Sequence, residues 1–65
     1  MKITVNNKEK FIPEDYIIQQ LLKDMNLSFS VAIWVNNQQL LQKDYGTYRL
    51  KESDKVKIFK PIGGG

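Results

Sequence analysis

Polar and apolar residues alternate at Lys2-Ile3-Thr4-Val5, the period-two signature of a strand with one buried face. Asn6-Asn7-Lys8 is turn chemistry, since asparagine tolerates left-handed backbone angles. Glu9-Lys10-Phe11-Ile12 then closes a hairpin. Pro13 ends that strand. Apolar residues recur at Ile18, Leu21, Leu22 and Met25, the i, i+3, i+4, i+7 stripe of one helical face, with Gln19, Gln20, Lys23 and Asp24 on the other side. The spacing predicts a helix over 15–25. Glu14 and Asp15 put negative charge at its start, with Asp15 as N-cap. Asn26 terminates it in the left-handed conformation, and Leu27 packs back on it. Ser30-Val31-Ala32-Ile33-Trp34-Val35 is a strand rich in β-branched residues. Asn36-Asn37 makes a tight turn into a short return strand, Gln38–Leu41. Residues 42–50 lack periodicity, apart from a helical turn expected near Asp44-Tyr45. Glu52-Ser53-Asp54 is a turn, and Lys55–Lys60 alternates most clearly of all. Pro61, which has no backbone donor, ends the ladder.

The order is ββαβββ: an α+β chain in which a hairpin, one helix crossing one face of a mixed sheet, a strand pair and a last strand follow in turn. This is the β-grasp (ubiquitin-like) arrangement. Its expected core is Ile3, Val5, Ile18, Leu21, Leu22, Met25, Val31, Ile33, Val35, Leu50, Val56 and Ile58. The expected division is a domain over 1–60 and a flexible glycine tail over 61–65.

Composition narrows the chemistry. With 65 residues and neither cysteine nor histidine, the chain has no thiol nucleophile, no disulfide and no imidazole base or metal ligand. The carboxylates, lysines and tyrosines form no spaced catalytic set, and no metal site is expected. Glu14 and Asp15 read as helix-start chemistry rather than an acid/base pair. Tyr16, Tyr45 and Tyr48 read as packing or surface residues. Hydrophobic content of 42% and charged content of 26% fit an ordinary soluble domain. No apolar run approaches a membrane span, and the N-terminus lacks a signal-peptide core, so cytoplasmic location is the expectation. The net charge of +3 is concentrated in residues 49–60, where Arg49, Lys51, Lys55, Lys57 and Lys60 outweigh Glu52 and Asp54. That excess either steers the end of the chain toward an acidic partner or guards a solvated strand.

If Val31, Ile33 and Val35 face the helix, Trp34 faces out. If Val56 and Ile58 face in, Lys55, Lys57 and Phe59 face out. An aromatic pair ringed by lysines on an open sheet face is a candidate partner surface. The competing reading folds Trp34 over residues 42–50 as a second small core with Tyr45 and Tyr48.

Three of the four glycines are the last three residues, directly after Pro61-Ile62. Alone, a triglycine is an ordinary loose end. With Val35-Asn36, the Leu50–Val56 turn and the ending Ile58-Phe59-Lys60-Pro61-Ile62-Gly63-Gly64-Gly65, the whole chain resembles the ThiS-like sulfur carriers of thiamine biosynthesis. It departs from them at Ser53, where the family usually has glycine, at Leu41-Gln42, where Pro-Arg is frequent, and at Tyr45, in the place of a frequent tryptophan. The resemblance implies that Gly65 is the modified residue, becoming an adenylate and then a thiocarboxylate. Pro61, Ile62, Gly63 and Gly64 would be the segment that enters a partner's channel. It implies a ubiquitin-activating-type adenylyltransferase that uses ATP and Mg²⁺, a thiazole synthase as acceptor, and a sulfur donor such as a cysteine desulfurase or a rhodanese-like protein. The chain itself would bind no cofactor. It would be a co-substrate rather than an enzyme, and monomeric when free. Alternatives within this chemistry are a carrier for molybdenum cofactor assembly or tRNA thiolation, or a modifier forming isopeptide bonds. Of another class is a small basic nucleic-acid-binding module stacking bases on Trp34 and Phe59, for which +3 is a small charge; no nucleic acid and no membrane are the expectation.

Overall fold

A computed structural model describes residues 1–60 of the chain. Strands β1 (Lys2–Val5) and β2 (Lys8–Phe11) precede helix α1 (Ile18–Asp24); β3 (Ala32–Val35), β4 (Gln38–Leu40), a 3₁₀ turn (Gln42–Asp44) and β5 (Lys55–Phe59) follow. The sheet order is β2-β1-β5-β3-β4. β5 is parallel to β1 and antiparallel to β3, while each hairpin is antiparallel. This is the mixed five-stranded β-grasp sheet, with the last strand in its centre.

Both hairpins turn on asparagine pairs. Asn6 and Asn7 have φ of 50° and 70°, and Asn36 and Asn37 have φ of 51° and 70°. Positive φ at both central positions is the requirement of a type I′ turn, whose twist matches the flanking strands. In each pair the first asparagine also completes a ladder. Asn36 donates its backbone N–H to the Lys55 carbonyl (2.8 Å), and its side-chain Oδ1 accepts from the Lys55 N–H (3.0 Å). Asn6 does the equivalent on the other side of β5: its N–H reaches the Val56 carbonyl (2.9 Å) and its Oδ1 accepts from the Ile58 N–H (2.8 Å).

Residues that alternate along the strands meet the helix face. Ile3, Val5, Ile33, Val35, Val56 and Ile58 are buried with Ile18, Leu21 and Leu22 of α1, joined by Val31 and Leu50. Met25, placed in the core by its spacing, is instead 37% exposed. The helix has ended at Asp24, and Met25 is its C-cap with ψ near 2°. Its side chain reaches the margin of the β1–β2 hairpin rather than the sheet centre. Asn26 (φ 58°) ends the helix as expected. Its N–H bonds the Lys23 carbonyl (3.1 Å) and the Leu27 N–H bonds the Leu22 carbonyl (2.9 Å), the paired bonds of a Schellman motif.

The helix start differs from expectation. Its N-cap is Ile17, not Asp15. Asp15 sits at φ 61° and pairs at the surface with Arg49 (3.6 Å). The first free N–H groups are satisfied from across the fold: Ile18 N–H by the Tyr48 carbonyl (3.1 Å) and Gln19 N–H by the Tyr45 carbonyl (2.9 Å). Gln20 Oε1 accepts from the Ile17 N–H (3.0 Å), and Leu50 N–H returns to the Tyr16 carbonyl (2.8 Å). Residues 45–50, aperiodic in sequence, are therefore the cap of α1.

Three core residues were not foreseen as such: Ile12, Tyr16 and Tyr45. Tyr45 is only 4% exposed, and its hydroxyl donates to the Val31 carbonyl (2.8 Å). Asp54 is also buried, and is fully engaged: Oδ1 accepts from Asn36 Nδ2 (2.9 Å) and Oδ2 from the Lys51 N–H (2.8 Å). Among the described residues no helix is long and apolar enough to cross a membrane.

Burial pushes the phenols of Tyr45 and Tyr48 above their ordinary 10.0, with the charge of Asp54 adding to the effect at Tyr48. As pH climbs through that value the unfolded chain releases these protons first, so stability is intact below it and falls above it. In urea unfolding from about pH 9 to about pH 11, the loss should be shallower for Tyr45→Phe, which retains one raised phenol instead of two. At neutral pH the same variant should lose about 1–2 kcal/mol, because the Val31 carbonyl is left without its donor.

Ser53 has φ 70°, with its N–H bonded to the Lys2 carbonyl (2.8 Å). A left-handed conformation costs a residue bearing a Cβ about 1–2 kcal/mol, against about 0.5–1 kcal/mol of extra entropy lost by glycine. Ser53→Gly should accordingly stabilise the fold by about 0.5 kcal/mol, read as a rise of a few degrees in Tm.

Candidate partner surface and chain exit

Because α1 covers one face of the sheet, the other is open. Register fixes what stands there. Ile33 opposes Ile58 and Val35 opposes Val56 on the helix side, so Ala32 with Phe59 and Trp34 with Lys57 occupy the open side. Thr4 opposite Lys55 continues this face onto β1. The small side chain of Ala32 leaves room beside Phe59, and the Trp34 ring meets it along the diagonal. Their centroids are 5.2 Å apart with planes at 88°, an edge-to-face pair. Trp34 is half-buried and Phe59 is 53% exposed. With Asn37 and Lys57 the two rings line a shallow concavity of about 440 Å³.

The second-core reading of Trp34 is thereby overturned. Tyr45 lies in the main core on the opposite side of the sheet, hydrogen-bonded to Val31, and Tyr48 packs against that same core. Trp34 is left with Phe59, and the two remain accessible together.

Charge follows the same face. Lys55 and Lys57 are exposed. The salt bridges among the described residues are Lys2–Glu9 (3.2 Å) and Arg49–Asp15, so neither Lys55 nor Lys57 is neutralised within the described fold. The concavity thus combines an aromatic floor with unpaired positive charge at its rim.

β5 delivers the chain to the edge of this surface. Phe59 is its last residue and exposed Lys60 follows. The residues singled out for chemistry and channel entry, Pro61, Ile62, Gly63, Gly64 and Gly65, lie outside the described residues. Among the described residues no three of Asp or Glu group closely enough to hold a metal ion. Among the described residues the buried polar side chains are spent on the fold, Asp54 on Asn36 and Lys51, Tyr45 on Val31, Tyr16 on the Gln20 carbonyl. What the described surface offers is apolar contact from Trp34 and Phe59 and positive charge from Lys55 and Lys57.

Sequence reading placed Trp34, Lys55, Lys57 and Phe59 on one face through strand alternation alone. It did not find that Asn37 joins them. The Asn36-Asn37 pair was read as a turn, and only the antiparallel register of β3, β4 and β5 folds that turn beside the aromatic pair.

Comparison with known proteins agrees with this architecture. The family model described as the ThiS family matches residues 1–65, the whole chain. The crystal structure of a thiamine biosynthesis protein (ThiS) from Geobacter metallireducens is similar over all of both chains, with a TM-score of 0.83 and 25% identity. A solution structure of a thiamine biosynthesis protein from the same organism is similar over all of this chain and 88% of that one, with a TM-score of 0.80 and 25% identity. No curated protein sequence matches. A full-length family match and an equally complete structural likeness establish that the chain belongs to the ThiS family, the small sulfur carriers of thiamine biosynthesis.

Proposed function

We propose that the working group is the terminal carboxylate of Gly65. A ubiquitin-activating-type adenylyltransferase would join it to AMP. The carboxylate oxygen attacks the α-phosphorus of ATP, with Mg²⁺ held by the enzyme, and pyrophosphate leaves. A carboxylate is a poor electrophile because its charge is delocalised and oxide is its leaving group; the acyl adenylate replaces oxide by AMP. The terminal sulfur of a persulfide on a cysteine desulfurase or a rhodanese-like protein then attacks the acyl carbon and AMP leaves; a second thiol attacks the donor sulfur of the resulting acyl disulfide, forming a disulfide with the donor cysteine and releasing the thiocarboxylate. Thiazole synthase receives that sulfur. The chain holds no cofactor and serves as co-substrate, acting in the cytoplasm.

The observation that carries this reading is the family match through to residue 65, on a chain whose last three residues are glycine. Glycine has no Cβ, so it allows an extended segment to approach channel walls closely. Pro61 and Ile62 would lead that segment in. The open face supports the rest of the reading: Trp34 and Phe59 would anchor the partner while Lys55 and Lys57 steer it. The whole-length family match favours thiamine over the molybdenum cofactor, tRNA thiolation, isopeptide and nucleic-acid alternatives.

Intact-mass spectrometry of the protein from its native host should show a fraction in which one oxygen is exchanged for sulfur at Gly65; a host that makes thiamine and never shows it would count against the reading. Gly64→Val should reduce ATP–pyrophosphate exchange with the adenylyltransferase by about a hundredfold or more, the scale of loss when a reacting group is displaced by an ångström, while its melting curve stays that of the wild type.

Trp34→Ala should weaken binding to the adenylyltransferase by about 2 kcal/mol, the loss typical of a central aromatic anchor. Its folding stability should fall by only about 1 kcal/mol, since the side chain is half-buried and its chief partner is one ring. Titration calorimetry beside urea unfolding separates the two, and a loss confined to stability would remove this face from the interface.

A further inference from the structure

The two hydrogen bonds between the Asn6 side chain and Ile58 continue a backbone ladder after the backbone itself has turned away. In a parallel pair each residue on one strand bonds two residues spaced two apart on the other. Thr4 N–H donates to the Asp54 carbonyl (3.0 Å) and Asn6 N–H to the Val56 carbonyl (2.9 Å). Continued in that pattern, the Ile58 N–H would next seek the carbonyl of residue 6, and the Ile58 carbonyl the amide of residue 8. Neither is available, because Asn6 enters the type I′ turn at φ 50° and β2 runs back along the far side of β1. The primary amide of Asn6 supplies both groups instead. Its Oδ1 accepts from the Ile58 N–H (2.8 Å) and its Nδ2 donates to the Ile58 carbonyl (3.3 Å). On the other flank, β3 still pairs Ile33 with Ile58 and Ala32 with Phe59. Among the described residues Asn6 is therefore the last grip on the β1 side of the central strand, two residues before Lys60.

We propose that Asn6 is a positioning residue for carboxylate activation: its amide fixes the direction in which the chain leaves the sheet, and so the fraction of molecules whose tail is aligned for the adenylyltransferase. This rests on the reading that Gly65 is adenylated. Without the amide, β5 beyond Val56 is held by β3 alone, and the exit samples a wider cone. When only part of a population is competent, the apparent dissociation constant rises by the reciprocal of that part, while molecules that have docked react as before. The effect belongs in KM rather than kcat.

The turn supplies a selective substitution. Asn6→Gly keeps a residue at ease with φ 50° and removes only the amide. Asn7→Gly makes the matching change at φ 70°, where the side chain takes no part in the ladder. In ATP–pyrophosphate exchange with the adenylyltransferase and the full-length chain, Asn6→Gly should raise KM for the carrier about fivefold with kcat within about twofold, and Asn7→Gly should change neither. Amide hydrogen exchange by NMR should show the Ile58 N–H of Asn6→Gly exchanging about tenfold faster relative to the Ile33 N–H, which reports the core. Asn6→Asp keeps the acceptor but sets an oxygen against the Ile58 carbonyl, and should raise KM as well. The proposal is overturned if Ile58 exchange rises while KM stays put, if Ile58 exchange does not rise relative to Ile33, or if Asn7→Gly shifts KM equally. If the wild-type chain supports no exchange at all, the adenylation reading fails and this inference with it, whatever the amide protection shows.

Discussion

The architecture depends on satisfying both edges of a strand that arrives last. β5 pairs with β1 on one side and β3 on the other, and each neighbour belongs to a hairpin whose turn leaves the ladder at one end of β5, Asn36 at Lys55 where the strand begins and Asn6 at Ile58 near where it ends. An unpaired backbone group in the middle of a sheet costs about as much as a lost hydrogen bond, so the chain needs substitutes at those positions. Asn6 and Asn36 are those substitutes. Each adopts the left-handed conformation that its turn demands, and each turns its side-chain oxygen to β5 where the backbone carbonyl would have been. The same residue type answers two needs because its side chain is a second amide group on a residue tolerant of positive φ.

That arrangement joins the two ends of the chain in one unit. Val5 is in register with Val56, so neither hairpin has a complete sheet until nearly all the chain is present. The helix between them has only seven residues, too few to be stable on its own. It holds because Ile18, Leu21 and Leu22 are buried on the sheet and because residues 45–50 supply the carbonyls its first turn lacks. Asp54 ties the same knot from the other side, bonding Asn36 across the start of β5 and Lys51 in the preceding turn. Among the described residues the buried polar groups are thus devoted to closing the fold.

What could be read from sequence was whatever is local. Alternation gave the strands and the faces of Trp34, Lys57 and Phe59; helical spacing gave α1; the asparagine pairs gave both turns and Asn26 gave the helix end. The errors at Asp15 and Tyr45 share a cause, since each was settled by a distant segment, whereas that at Met25 was settled by where the helix ends. Asp15 had the chemistry of an N-cap, but the carbonyls of Tyr45 and Tyr48 took that role. Met25 had the spacing of a core residue, but the helix stopped one residue before it. Tyr45 lay in a stretch without periodicity and turned out to bind Val31 from within the core. The role expected of the tail rests on resemblance, since a run of glycine by itself states no purpose, and its residues lie outside those described.

The proposed division between recognition and reaction fits the same economy of size. A chain of 65 residues with one short helix spends its interior on cohesion and has little room to bury and tune an acid, a base and a nucleophile together. What it can present cheaply is an outer face. The open side of the sheet, with an edge-to-face aromatic pair and two exposed lysines that form no salt bridge among the described residues, is held rigid by the strands on which it stands. The central strand carries that rigidity up to Phe59, at the border of the face. On the proposed reading, the carboxylate of Gly65, five residues along the sequence from Lys60, would be tethered to this surface by a short segment of chain. Docking of the surface would then raise the local concentration of the carboxylate at a partner's active site. The partner would supply the reaction, and the carrier address and reach.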